Sequence, residues 1–180
     1  MIKLFSFEPY YFNNNGDQGN LEVVEFLLTE QGIRFKESVT IEDADFVLIG
    51  DASKAVMEEY SKQLGKLHKP IAARYKQGLP TLLVGSAYEF FAETLGLKYR
   101  QQTRESKFVT TQDGYFGYRN SDKTLPACFV KDAFVATSLF GPVLIKNPEL
   151  LERMITGLGG RLNLPKTVIE LIETIRSQNG

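Results

Sequence analysis

Residues 81–88, Thr81-Leu82-Leu83-Val84-Gly85-Ser86-Ala87-Tyr88, run from an apolar stretch through small residues into a helix-like pattern. That order suits a nucleophile elbow, whose strained turn needs small neighbours and sets a helix N-terminus beneath a developing negative charge. Ser86 is therefore a candidate nucleophile, and equally a plain N-cap residue for the helix that follows it. A serine nucleophile needs a base, and His68 is the only histidine in the chain. It sits between two helical stretches on the way into the same strand, which is normally the far end of the sheet from an elbow. The single cysteine, Cys128, lies in the apolar run 127–130 and reads as a buried structural thiol. One Cys and one His exclude an intramolecular disulfide and a structural zinc site, which takes about four such ligands. They are also misplaced for a dyad, so no metal or cofactor is expected.

The elements that must position these residues follow from periodicity. Residues 2–7 read as a first strand, 10–19 as a loop of turn residues, and 20–31 as a helix capped by Asn20 and stopped by Gly32. A short strand at 34–39 precedes the continuous apolar run 46–50, which suits a strand buried on both faces. A helix over 53–66, a second starting at Pro70, a buried strand at 80–84 and a helix over 86–95 complete the first half. The second half holds a hairpin over 107–118 with an Asp113-Gly114 turn, strands at 127–130 and 133–138, and helices at 148–158 and 165–177. The order predicts an α/β fold: one three-layer domain over residues 1–180, with a mostly parallel central sheet flanked by helices. Such sheets bind ligands at the carboxyl ends of their strands, here the loops 13–20, 50–53 and 85–88.

Composition narrows the partners. With 21 Lys and Arg against 22 Asp and Glu, the formal charge is −1 and no nucleic-acid partner is expected. No apolar run of about 18 residues occurs, so no membrane span is expected. The opening residues lack the pattern of a signal peptide, and one unpaired cysteine fits a reducing cytoplasm.

Several segments, in order, resemble one family. Residues 12–33, with Gly16-Asp17, Gly19-Asn20 and Leu21, look like the start of cobyric-acid-synthase-type class I glutamine amidotransferase domains. Within that group the glutaminase subunit of lipid II isoglutaminyl synthase is the most similar. Phe46-Val47-Leu48-Ile49-Gly50 resembles the family's next strand, and residues 79–84 with Tyr88-Glu89-Phe90 its elbow strand and helix. Gly117-Tyr118-Arg119-Asn120 resembles a glycine–aromatic–glutamate–asparagine segment. Residues 138–144 resemble a segment that reads leucine-histidine-glycine-proline. The resemblance covers about residues 1–160 and implies a class I glutamine amidotransferase-like, flavodoxin-like fold.

The departures bear on activity. The family's nucleophilic cysteine falls on Gly85, and its general-base histidine on Phe140. A match shifted by one residue puts Ser86 at the nucleophile position and still supplies no histidine. Where the family has a glycine-rich turn that builds part of the oxyanion hole, this chain reads Gly50-Asp51-Ala52, and an anionic Asp51 would oppose a developing oxyanion. In a comparable hydrolase triad, loss of such residues costs roughly 10⁶ in turnover. Arg104 corresponds to an arginine that holds the glutamine carboxylate, although its spacing to Gly117 is shorter here; it reads equally as a solvated arginine.

The resemblance thus implies a catalytically inactive amidotransferase-like protein, a binding or regulatory subunit for a partner synthase or amidoligase. In the lipid II enzyme of cell-wall biosynthesis that partner is a Mur-ligase-like protein. The alternatives are a sensor of glutamine or another small amino acid, and an active hydrolase in which Asp51 or Glu89 assists Ser86. The expected binding set is Asn14, Gly50, Asp51, Gly85, Ser86, Tyr88, Arg104 and Asn120.

Overall fold

The computed structural model describes residues 1–99 and 103–179. In chain order the elements are β1 (Ile2–Ser6), α1 (Gly19–Glu30), β2 (Phe35–Glu37), β3 (Phe46–Ile49), α2 (Lys54–Glu59), α3 (Ser61–Gly65), α4 (His68–Gln77), β4 (Thr81–Val84) and α5 (Ser86–Phe91). Then come β5 (Arg104–Thr110), β6 (Phe116–Asp122), β7 (Cys128–Lys131), β8 (Phe134–Thr137), α6 (Val143–Lys146), α7 (Pro148–Gly157) and α8 (Lys166–Asn179). Six strands form one sheet in the order β2-β1-β3-β4-β8-β7. All neighbours pair parallel except the edge strand β7, which runs antiparallel to β8. β5 and β6 form a separate antiparallel hairpin, joined to the segment after β8 by a bridge between Arg119 and Leu139.

The continuous apolar runs of β3, β4 and β8 are explained by burial on both faces. Because side chains alternate along a strand, Phe46, Leu48, Leu82, Val84 and Val135 face one layer, where α1 and α7 supply Val24, Leu28, Leu151 and Met154. Val47, Ile49, Leu83, Phe134 and Ala136 face the other, with Leu64, Ile71, Ala87 and Phe91. The expected three-layer α/β arrangement with a mostly parallel sheet is the arrangement found.

Several local expectations are corrected. The helix expected over 53–66 is two, broken at Tyr60, whose ring packs against Phe7, Phe12 and Tyr11. The next helix begins at His68, so Pro70 lies in its first turn, where a missing N–H costs nothing. The elbow helix α5 ends at Phe91 rather than Leu95, continuing only as turns. The hairpin strands run longer than expected, over 104–110 and 116–122, and α6 was not anticipated. Gln18, not Asn20, takes the cap position of α1. Asn20 is buried instead, its amide donating to the Asp17 and Gly141 carbonyls and its carbonyl accepting from the Leu144 N–H. It therefore joins the loop after β1 to the segment after β8.

The end of the sheet away from the elbow is closed by Arg74, which is buried and donates to the Thr81 hydroxyl and to the carbonyls of Ala44, Asp45 and Pro80. Burial lowers its pKa to about 10.

Candidate functional site

The loops after β1, β3 and β4 meet at the carboxyl ends of those strands, and the β5–β6 hairpin closes one side. Between them lies a cleft of about 550 Å³. Asn14, Asp51, Ser86, Arg104, Asn120 and Phe140 all line it, brought together from five separate segments of the chain.

The elbow is real in its backbone. Gly85 has φ 58° and ψ −117°, a conformation that side-chain-bearing residues adopt only under strain. Its N–H donates to the Thr137 carbonyl at 2.9 Å, and its own carbonyl accepts from the Glu89 N–H at 3.0 Å, starting α5. A Cβ added here would collide with the Asp51 carboxylate and would lie 2.6 Å from the Phe140 ring. Those two side chains thus fill the volume that a nucleophile at position 85 would need.

Asp51 holds the centre of the site. Its Oδ1 accepts the Ser86 N–H at 2.8 Å. Its Oδ2 accepts the side-chain amides of Asn14 at 3.1 Å and Asn15 at 2.9 Å. The N–H of the residue after the nucleophile is the usual oxyanion-hole donor of an elbow. Here that residue is Ser86, and its N–H is already committed to a carboxylate. The Asp51 N–H in turn donates to Asp17 Oδ2 at 2.9 Å. Asp17 is fully buried, and its Oδ1 has no hydrogen-bond partner among the described residues. Burial foremost, with the Asp51 charge adding to it and the Asp51 N–H opposing, pushes its pKa up to about 7.

Ser86 does not cap α5, because Gly85 occupies the cap position. The Ser86 hydroxyl oxygen instead accepts the Ala52 N–H at 2.9 Å, tying the loop after β3 to the elbow. Neither carboxylate considered as a base is bonded to that hydroxyl. Asp51 is engaged as above, and Glu89 accepts Tyr99 at 2.8 Å and Ser121 at 2.7 Å. His68 stands outside the cleft lining, bonded to Thr94 at 2.6 Å and stacked on Phe90. Cys128 lies on β7 against Thr137, and burial raises its thiol to about 12.

Three members of the expected set, Gly50, Gly85 and Tyr88, lie beneath the cleft rather than in its lining, Gly85 under the Asp51 and Phe140 side chains. Tyr88 is fully buried, because two positions along a helix from Ser86 is nearly the opposite face. Gly50 is backbone packing: a Cβ there would strike the Phe12 carbonyl oxygen. Conversely, Glu89, Phe90 and Tyr99 line the cleft and were absent from that set. Glu89 lies one helical turn beyond Ser86, a spacing that could have identified it.

Arg104 is not a free surface arginine. Its guanidinium pairs with Glu89 at 3.5 Å and donates to the Asn120 carbonyl at 2.8 Å and the Asn120 side chain at 3.4 Å. Phe140 is fixed by its own backbone, with its N–H on the Tyr118 carbonyl and its carbonyl on Lys146 Nζ at 2.7 Å. Among the described residues no group of His, Cys, Asp and Glu side chains is placed to hold a metal ion, and no helix is long and apolar enough to cross a membrane.

The sequence matches no family model, and a search of curated proteins returns no match. Among solved structures, the chain is similar to the crystal structure of a glutamine amidotransferase from Thermotoga maritima. The TM-score is 0.53 at 16% identity, over 98% of this chain and 92% of that one. What this likeness shows is the fold: an α/β, class I glutamine amidotransferase-like and flavodoxin-like architecture.

Proposed function

We propose that this chain, as one domain over residues 1–180, is a glutamine amidotransferase-like protein without glutaminase activity, serving as a binding or regulatory subunit. The observation that carries the reading is the Asp51 carboxylate on the Ser86 N–H. A carboxylate occupies the donor that an amide-hydrolysing elbow needs for its developing oxyanion. Gly85 offers no nucleophile and Phe140 no proton acceptor. The scaffold around them is nevertheless intact, down to the strained glycine. The resemblance of the segments around Gly16-Asp17, Gly19-Asn20 and Gly141-Pro142 supports a cobyric-acid-synthase-type origin, similar in pattern to the lipid II glutaminase subunit. The partner on this reading is a Mur-ligase-like or other amidoligase protein in the cytoplasm, with cell-wall biosynthesis as the setting.

Incubating the purified protein with glutamine and measuring ammonia tests the first half. No release above buffer is expected, and release that Ser86→Ala abolishes would sink it. Titrating the protein against an amidoligase from the same genome tests the second half, with a stable complex on size exclusion as the expected result.

A second reading, a small-molecule sensor, is favoured by the cleft itself. Its volume suits a ligand of modest size, and Arg104 stands at its edge with part of its guanidinium uncommitted.

A further inference from the structure

The charges of the cleft are layered by depth. Asp51 is 7% exposed, and the Glu89 side chain is 13% exposed. The two cations lie outward: the Arg104 side chain is 45% exposed and that of Lys54 92%. Glu89 has Arg104 as its counter-ion, and Lys54 pairs with Glu58. Asp51 is held only by neutral donors, the Ser86 N–H and the amides of Asn14 and Asn15, and no ion pair among the described residues includes it. Three donors leave an ionised carboxylate with acceptor capacity to spare. Between floor and rim the walls include the apolar surfaces of Phe90, Phe140 and Met57. The missing side chain at Gly85 and the substitution of Phe140 thus replace a site for a developing anion with one that holds a standing anion.

We infer that this cleft takes a zwitterionic ligand cation-first, a basic amino acid, free or at the carboxyl terminus of a short peptide. Its ammonium or guanidinium group sits on Asp51, its aliphatic stem lies along Phe90 and Phe140, and its carboxylate meets Arg104. Anionic ligands such as phosphate are disfavoured at the floor by Asp51, and a neutral side chain leaves the Asp51 charge uncompensated. Each Arg104 nitrogen already has one partner, Nε and Nη2 on Asn120 and Nη1 on Glu89, so of the five N–H donors two are left for a carboxylate on this half-exposed side chain. The inference rests on the non-catalytic reading of the site.

Calorimetry on the full chain is the test, with L-lysine, L-ornithine, L-arginine and a dipeptide ending in lysine as cationic ligands. Norleucine, which keeps the α-ammonium but lacks the side-chain cation, cadaverine, which lacks the carboxylate, and glutamine are the comparisons. At least one cationic zwitterion should bind tenfold or more tighter than norleucine, cadaverine and glutamine, the loss expected for one charge-assisted hydrogen bond. Whether free lysine or the dipeptide binds tighter identifies the source. Asp51→Asn should erase the preference for lysine over norleucine, and Arg104→Gln that for lysine over cadaverine. Circular dichroism checks that both variants fold, and the unmodified protein alone decides if either does not. Equal affinities across the series, or no heat from any ligand at millimolar concentration, would overturn the inference. Ammonia measured in the glutamine sample separates the two failures, since its release would overturn the non-catalytic reading itself.

Discussion

At the scale of single residues, the site is a set of mutually dependent side chains. Asp51 and Phe140 can lie where they do because position 85 has no side chain. Gly85→Cys should therefore destabilise the protein by about 2 kcal/mol or more, from left-handed strain and overpacking together. Adding Asp51→Gly should recover part of that loss, a non-additivity readable from chemical denaturation of the two single variants and the double variant. Asp17 sets a pH dependence of opposite sign to the usual carboxylate. Its proton leaves an unfolded chain near 3.8 but the folded one near 7. In that interval the folded state holds the proton more tightly, so the associated stability is full below it and falls as pH rises through 7. The amount at stake is on the order of 4 kcal/mol. Asp17→Asn should flatten the pH profile of the urea midpoint over the same interval, and an unchanged slope would remove Asp17 as its origin.

At the scale of elements, Arg74 does at one end of the sheet what the elbow loops do at the other. It bonds three carbonyls and a hydroxyl drawn from the approaches to β3 and β4. Arg74→Met would strip the buried Ala44 carbonyl and the Thr81 hydroxyl of a donor, at about 1–3 kcal/mol for each buried group left unpaired, while the Pro80 carbonyl would keep the Val47 N–H. A loss of several kcal/mol in thermal or chemical unfolding is expected, with ligand affinity untouched because the cleft lies at the opposite strand ends. The strands were legible because β3, β4 and β8 are continuous apolar runs that admit few other readings. The loops at their carboxyl ends followed from topology, which is why Asn14, Asp51 and Ser86 were found. Helix ends were less legible: the break at Tyr60 comes from an aromatic cluster with Phe7, Phe12 and Tyr11, contacts distant in sequence. Tyr88 and Glu89 are adjacent, yet one is buried and the other lines the cleft. By sequence, Tyr88 belongs to the expected binding set and Glu89 enters only as a base for Ser86; the helix's rotation, which a motif match does not carry, is what separates the two.

At the scale of the molecule, the cleft wall made by β5 and β6 differs in kind from the sheet that bears the elbow. The hairpin pairs with itself, and β5 is largely exposed, while β3, β4 and β8 are buried along their whole length. Tyr115, Val109 and the buried side of β6 pack it on the body, and polar contacts add to this: Ser121 and Arg104 on Glu89, the Phe116 backbone on Asn147, and the bridge between Arg119 and Leu139. Two of those contacts converge on Glu89, a cleft residue, so occupancy of the cleft and docking of the hairpin are linked through one side chain. Regions with few buried apolar contacts and exposed backbone bonds open at lower free energy than the core. Amide exchange should accordingly be faster in β5 than in β3 and β4 without ligand, and a ligand on Arg104 should slow it in β5 while leaving the sheet unchanged. Glu89→Gln should speed exchange in β5 and weaken that ligand-induced slowing. If β5 exchanged as slowly as β4 in the free protein, the hairpin would be part of the rigid body and could not report on what the cleft holds.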